Sequence, residues 1–76
     1  MPPKITLYST ENCVYCVKAK ELFNKIGRAF EEVRFEDNPV AFQAIADRVG
    51  AMSVPIITIG ESVIVGYSPN KILEAL

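Results

Sequence analysis

Hydrophobic and polar residues alternate over residues 4–8, with Ile5 and Leu7 on one side, and this alternation predicts a first β-strand. From residue 13 to residue 26 the period changes to that of an α-helix. The apolar face of this predicted helix comprises Cys16, Ala19, Leu22, Phe23 and Ile26. Gly27 follows at once and is typical of a helix C-terminus.

A second strand is predicted over residues 29–36, with Val33 and Phe35 on its buried face. Its many charged residues favour an edge position in a sheet. Asn38 and Pro39 then form a cap followed by a first-turn proline, which predicts the start of a second helix. The apolar stripe of that helix is Phe42, Ile45, Ala46 and Val49, and Gly50 ends it.

The last third of the chain predicts two strands and a helix. Residues 55–59 are almost continuously apolar, as in a buried central strand. A Gly-Glu pair at residues 60–61 predicts a tight hairpin turn into a paired strand over residues 62–65. Ser68 and Pro69 begin a final helix. Its predicted apolar side is Ile72, Leu73 and Leu76.

These elements give the order β-α-β-α-β-β-α, which is an α/β fold in one domain over residues 1–76. The first β-α-β unit should be parallel, and the last two strands should form an antiparallel hairpin. The simplest arrangement that joins both units is a four-stranded mixed sheet of order 2-1-3-4, flanked by three helices.

Composition narrows the classes of function. Half of the 76 residues are hydrophobic, the net charge is -1, and no basic block is present, so we expect neither nucleic-acid nor membrane binding. The absence of histidine excludes Cys-His catalysis and histidine-ligated zinc. No signal peptide is expected from the Met-Pro-Pro-Lys start, and the chain is predicted to be a cytoplasmic monomer.

Cys13 and Cys16 lie where the first strand gives way to the first helix. The unpaired N–H groups of a helix N-terminus would stabilise a thiolate on Cys13 and lower its pKa. A thiolate attacks disulfides, and Cys16, one turn later, is close enough to resolve the mixed disulfide that forms. The pair therefore predicts dithiol–disulfide exchange.

Two other interpretations of the pair remain open at this point. The cysteines could simply pack in the core. They could also bind a metal or an iron–sulfur cluster, as in ferredoxin-like carriers of similar length. Those carriers have the order β-α-β-β-α-β and end on a strand, whereas this chain is predicted to end on a helix. Two sulfurs also leave zinc short of four ligands unless the protein dimerises.

Three segments together resemble one known family over the whole chain. The run CVYCVKAK at residues 13–20, with Leu22, Phe23 and Gly27 after it, is similar to the active-site helix of dithiol glutaredoxins. Val54-Pro55 resembles their cis-proline dipeptide. The VGY run at residues 65–67 resembles their glycine motif before the last helix.

The resemblance implies a thioredoxin-like fold and a thiol–disulfide oxidoreductase that reduces protein disulfides. By position, Cys13 would be the nucleophile and Cys16 the resolving cysteine. Val54 would offer its backbone to an extended substrate, and Pro55 would be cis. The other implied substrate-binding residues are Tyr15, Gly66, Tyr67 and Ser68.

The chain departs from glutathione-dependent members of that family at three places, one of which is Ile56 after Pro55, where those members often have a polar residue. Residues 9–12 (STEN) lack the basic residue that contacts a glutathione carboxylate, and Ser68-Pro69-Asn70 lacks an acid. The GYSP run at residues 66–69 is more similar to NrdH-type redoxins, the electron donors of ribonucleotide reductase. No bound cofactor is implied; the electrons would come from NADPH through thioredoxin reductase, or from glutathione, and we expect glutathione to be used weakly.

Overall fold

Four strands and three helices follow one another along residues 2–76, the part of the chain that the computed structural model describes, in the order that the sequence predicts. Their bounds are β1 Ile5–Ser9, α1 Val14–Lys25, β2 Glu31–Arg34, α2 Pro39–Val49, β3 Ile56–Ile59, β4 Ser62–Val65 and α3 Pro69–Ala75. No helix within residues 2–76 is long and apolar enough to cross a membrane.

The four strands form one mixed sheet in the order β2-β1-β3-β4, which confirms the predicted topology. β1 pairs with β2 in parallel, with Leu7 opposite Glu32. β1 also pairs with β3, and β3 with β4, in antiparallel ladders. Because β1 is an inner strand, the loop at its C-terminal end brings the start of α1 to the middle of that end of the sheet.

The main core cluster lies between the sheet and the inner faces of α1 and α3, and α2 buries a further set, Phe42, Ile45 and Ala46. Phe23 and Ala19 of α1 and Ile72 of α3 are fully buried, and they pack with the inward side chains of three strands. The strand residues of this cluster are Ile5, Leu7, Ile57, Ile59 and Ile64. The face of α1 that the sequence predicts as apolar is thus the face that anchors the helix.

The second strand is shorter than predicted. It ends at Arg34 because the backbone N–H groups of Asp37 and Asn38 both turn back to the Arg34 carbonyl, at 3.1 and 2.9 Å. Phe35 therefore lies beyond the strand and is 40% exposed, so its predicted burial in the core is wrong.

Two other predicted core residues are also exposed. Ile26 is the C-cap of α1, past the last helical residue, and 36% of its surface is accessible. Leu73 is half exposed, because α3 buries Ile72 and the next helical position points about 100° away. A short helix thus offers the core fewer positions than its apolar content predicts.

The start of α2 is capped as the sequence predicts. The Asn38 side-chain oxygen accepts a hydrogen bond from the Ala41 N–H at 3.2 Å, and Pro39 occupies the first helical position, where its missing N–H is not needed. Gly50 ends the helix in the left-handed region, with φ at 74°.

We expect Asn38→Ala to lower the free energy of unfolding by about 1 kcal/mol, because one N–H of the first turn loses its acceptor. Denaturant unfolding of the oxidised protein measures this loss. Asn24→Ala is the matched control, since Asn24 is an exposed residue inside α1, where alanine favours the helix. Equal stability of the two variants would contradict the capping role.

Candidate active site

The chain changes direction sharply between β1 and α1. Asn12 has a φ of 62°, in the left-handed region, and Cys13 returns to extended backbone as the N-cap residue of α1. The Cys13 Sγ accepts a hydrogen bond from the Cys16 N–H at 3.1 Å. Cys13 therefore satisfies one of the N–H groups that a helix start leaves unpaired, as serine or asparagine does at other helices.

The two cysteines differ in exposure although only one turn of helix separates them. Cys16 belongs to the buried face of α1 and is 2% exposed, whereas Cys13 is only partly buried. Their sulfurs are bonded to each other, and their Cα atoms are 5.2 Å apart. A partner molecule can therefore reach the Cys13 sulfur far more easily than the Cys16 sulfur.

A cavity of about 500 Å³ opens beside the cysteine pair, between the start of α1 and the end of β2. It is lined by Thr10, Glu11, Asn12, Cys13, Val14, Cys16, Val17, Lys20, Glu32 and Arg34. The helical spacing of Lys20 relative to Cys13 predicts that its side chain points away from Cys13, but Lys20 lines the same cavity.

Lys20 and Glu32 link α1 to the edge strand across this cavity. The Lys20 Nζ lies 2.7 Å from a Glu32 oxygen, and the Ser9 hydroxyl donates to the same carboxylate at 2.7 Å. Burial by itself raises the pKa of Glu32. The hydrogen bonds from Lys20 and Ser9, with the positive charge of Arg34, more than offset this and hold the pKa below its ordinary value.

A second carboxylate braces the loop before Cys13. The Thr10 hydroxyl donates to Glu36 at 2.7 Å, and the Glu11 N–H donates to the same oxygen at 2.8 Å. These hydrogen bonds lower the pKa of Glu36 to about 2. The Glu36 carboxylate is therefore ionised at neutral pH and places a negative charge beside this loop.

Four of the six predicted substrate-binding residues form two contacting pairs, Pro55 with Gly66 and Tyr15 with Tyr67. The Val54–Pro55 peptide bond is cis, and the Pro55 carbonyl accepts a hydrogen bond from the Gly66 N–H at 2.7 Å. The ring of Tyr15 stacks on that of Tyr67 with centroids 6.3 Å apart. Segments that are distant in sequence thus meet beside the start of α1.

Ser68 and Val54 lie at the margins of this region. Ser68 is the N-cap residue of α3, and its carbonyl accepts from the Ile72 N–H at 2.9 Å. Val54 lines a separate cleft, which shares Thr10 with the cavity beside the cysteines. Thr10 therefore lies between Val54 and the cysteine pair.

Sequence reasoning missed Lys20, Glu32 and Arg34 as neighbours of the cysteines. A signal was present for Arg34, because parallel pairing brings the carboxyl ends of β1 and β2 together. The register places Arg34 opposite Ser9, immediately before the loop that leads to Cys13. Lys20 reaches the cavity only through the rotation of α1 against the sheet, which periodicity alone does not specify.

A sequence profile described as glutaredoxin matches residues 5–64, from β1 to β4. The chain belongs to the glutaredoxin family. It is a thiol–disulfide oxidoreductase of that family with a Cys-x-x-Cys pair. Members of this family need no bound cofactor and generally act on protein disulfides with glutathione.

Relatives come from two branches of the family. A glutaredoxin of Pseudomonas aeruginosa is 35% identical over 74 residues, covering 97% of this chain and 87% of the relative. The glutaredoxin-like protein NrdH of Lactococcus lactis is 25% identical over 70 residues, covering 92% and 96%. The solved structure of Escherichia coli NrdH-redoxin superposes with a TM-score of 0.86 at 27% identity, covering 93% and 92%.

Two features of the structure argue against the metal-carrier interpretation of the cysteine pair. The element after β2 is helix α2, whereas the β-α-β-β-α-β order of a ferredoxin-like carrier has a strand at that position. Within the described residues, no cluster of three or more cysteine and carboxylate side chains is arranged to hold a metal ion.

We expect Glu36→Gln to change how stability depends on pH. A carboxylate whose pKa is depressed in the folded state contributes stability that is present above its unfolded pKa and is lost as the pH falls towards about 2. The stabilities of the wild type and of Glu36→Gln should therefore differ most above pH ~4.5 and converge near pH 2.

Urea unfolding between pH 2 and pH 7 measures this difference, with Glu74→Gln, an exposed glutamate of α3, as the control. Two parallel curves for the wild type and Glu36→Gln would show that the Thr10 and Glu11 hydrogen bonds do not favour the ionised form.

Proposed function

We propose that this glutaredoxin reduces protein disulfides in two steps, with Cys13 as the nucleophile and Cys16 as the resolving thiol. The observation that carries this proposal is the asymmetry of the pair. Cys13 sits partly exposed at the helix N-terminus, with its sulfur on the Cys16 N–H, while Cys16 is buried behind it. One sulfur is reachable by a partner, and the other is reachable only from Cys13.

In the first step, the reduced protein meets a substrate disulfide. The Cys13 thiolate attacks one substrate sulfur, the substrate S–S bond breaks, and the other sulfur leaves as a thiolate that takes up a proton. The Cys16 N–H and the partial positive charge of the helix start stabilise the Cys13 thiolate before attack. The product is a mixed disulfide between Cys13 and the substrate.

In the second step, Cys16 gives up its proton and attacks the Cys13 sulfur. The mixed disulfide breaks, the second substrate thiol is released, and the Cys13–Cys16 disulfide forms. Two electrons and two protons pass from the dithiol to the substrate. The bonded cysteine pair corresponds to the product of this step.

Residues around Cys13 favour a protein substrate. Val14, Tyr15 and Val17, which we call the apolar rim, are 67%, 56% and 50% exposed at the start of α1. Exposed apolar residues around a reactive group are typical of a protein-binding surface. We assign Val54, Pro55, Tyr15, Gly66, Tyr67 and Ser68 to substrate binding, with the Val54 backbone as the hydrogen-bonding edge.

We further propose that thioredoxin reductase, with electrons from NADPH, is a better reductant for this protein than glutathione. Glutathione has two carboxylates, and the loop before Cys13 offers Glu11 and the ionised Glu36 instead of a cation. Lys20 and Arg34 both line the cavity, but the ammonium group of Lys20 is paired with Glu32, and the positive charge of Arg34 acts on the Glu32 and Glu36 carboxylates. Asn70, at the start of α3, is neutral, so the ammonium group of glutathione meets no acid there.

Similarity to NrdH proteins supports ribonucleotide reductase as a partner. The Escherichia coli NrdH-redoxin that superposes on this chain is described as having a thioredoxin-like activity profile. The Gly66-Tyr67-Ser68-Pro69 run is the segment in which this chain resembles that branch. Regeneration of the dithiol requires a reducing compartment, so we propose a cytoplasmic location. We also propose that residues 1–76 form a single domain that acts as a monomer.

We expect Cys13→Ser to abolish disulfide reduction, because no reachable thiolate remains. Cys16→Ser should still attack but should accumulate a mixed disulfide on Cys13. Intact-mass spectrometry, after incubation with a disulfide-bonded protein, measures both outcomes. Val40→Ser is the control for a polar change at an exposed residue, since Val40 is 79% exposed on α2, lies outside the active-site region and carries no thiol.

Trapping of the partner on Cys16 in the Cys13→Ser protein would reverse the assigned roles. A partner trapped on neither variant would contradict the two-step reaction itself.

The reductant is tested by turnover with each reducing system at physiological concentrations. Each missing charged contact is worth roughly 1.5–3 kcal/mol, or more than tenfold in affinity, so glutathione with its reductase should be at least tenfold less efficient than thioredoxin reductase with NADPH. Equal or faster turnover with glutathione would contradict the charge argument. Electron supply to ribonucleotide reductase, followed as deoxyribonucleotide formation, tests the proposed partner in the same mixtures.

A further inference from the structure

A cleft of about 220 Å³ lies on the α2 side of the active site, separate from the cavity beside the cysteines. We call it the Met52 cleft; it is lined by Thr10, Phe35, Phe42, Met52, Ser53 and Val54. Residues from the end of β1, the end of β2, α2 and the loop before β3 meet there. Of these residues, the two-step disulfide exchange proposed above uses only Val54, through its backbone.

The floor of the cleft is a buried aromatic ring, and its walls are exposed apolar side chains. Phe42 is 3% exposed and packs edge-to-face against Phe35 and Tyr8, with ring centroids at 5.4 and 6.5 Å. Phe35 and Met52, by contrast, are 40% and 61% exposed. The cleft is therefore a preformed apolar surface that water covers in the free protein.

Val54 connects the cleft to an unpaired stretch of backbone. Among residues 2–76, neither the N–H nor the C=O of Val54 has a hydrogen-bond partner, whereas the next carbonyl, of Pro55, is paired with Gly66. An extended chain that pairs with Val54 would point alternate side chains to opposite sides. One of those sides faces the cleft, because Val54 itself lines it.

The charge beside the cleft selects against an acidic occupant. Thr10, which lines the cleft, donates to the Glu36 carboxylate, and that carboxylate stays ionised at neutral pH. An acidic side chain would meet both an apolar wall and a like charge. A large uncharged apolar side chain would bury against Phe35, Phe42 and Met52.

We propose that the Met52 cleft is a specificity site for protein disulfide substrates and binds a large apolar side chain, of leucine or methionine size, within two residues of the reactive cysteine. The inference rests on the proposed function, because it needs a substrate segment aligned on Val54. The cleft would give the enzyme a preference for substrates with a particular sequence around the reactive cysteine. The exposure of Cys13 and the charges around it do not by themselves give such a preference.

The test compares symmetric disulfide dimers of a short peptide with one cysteine. Four positions are varied one at a time, the two before and the two after the cysteine. At each position one peptide carries leucine and its counterpart carries asparagine, which is similar in size. With reduced wild type, kcat/KM for the leucine peptide should exceed that of its asparagine counterpart about tenfold at one of these positions. Glutamate at that position should give the slowest reduction.

Two variants show whether the cleft is responsible. Met52→Ala and Phe35→Ala should each reduce the leucine preference at least threefold while leaving the asparagine peptide unaffected. Val63→Ala is the matched control, because Val63 is 38% exposed on β4 and pairs towards the hairpin end, away from Val54. Val63→Ala should keep the full preference.

The outcomes separate the two proposals. If all peptides are reduced at one rate, or if the preference survives both cleft variants, the specificity site is wrong and the proposed function stands. If no peptide is reduced, both fail. A second copy of this chain is the other occupant to be tested, by sedimentation of the wild type and of Met52→Ala. A dimer that Met52→Ala abolishes would show that a second copy fills the cleft, and this would overturn the inference.

Discussion

The packing of α1 against the sheet decides what the two sulfurs can do. Phe23, Ala19 and Cys16 share the buried face of that helix, and the first two of them are inaccessible to solvent. These buried positions hold α1 against the sheet, and the helix begins at Val14, two residues before Cys16. Cys13 therefore occupies the N-cap, where its sulfur meets both solvent and the Cys16 N–H. The different exposure of the two sulfurs thus depends on how α1 packs against the sheet through Ala19 and Phe23, one and two turns after Cys16.

Local sequence signals were sufficient for the order of the elements, the sheet topology and the cysteine pair. The caps at Asn38 and Gly50 and the turn at residues 60–61 each involve neighbours in sequence, so a pattern of a few residues describes them. Phe35 shows where such signals fail. Its alternation with Val33 continues the strand pattern, but two hydrogen bonds to the Arg34 carbonyl turn the chain away first.

The surroundings of the cysteines were less predictable, for two physical reasons. The Lys20–Glu32 contact depends on the rotation of α1 relative to an edge strand, which no repeat in either segment encodes. The Met52 cleft is built partly from the loop before β3, where there is no periodicity to read. The family resemblance supplied the cis bond before Pro55, which residue patterns would not have predicted. It supplied nothing about the cleft.

The β3–β4 hairpin has a practical consequence for studying this protein. The strand register pairs Ile56 with Val65 at one end and Ile59 with Ser62 at the other, so the turn at residues 60–61 lies at the end of the sheet opposite to Pro55 and Gly66. Gly60 itself is confined, because a side chain there would approach the Pro3 Cβ at 3.2 Å. Glu61 is exposed and free of that restriction. A dye, an affinity handle or a surface linker attached at Glu61 would therefore orient the molecule with its thiols facing the solution.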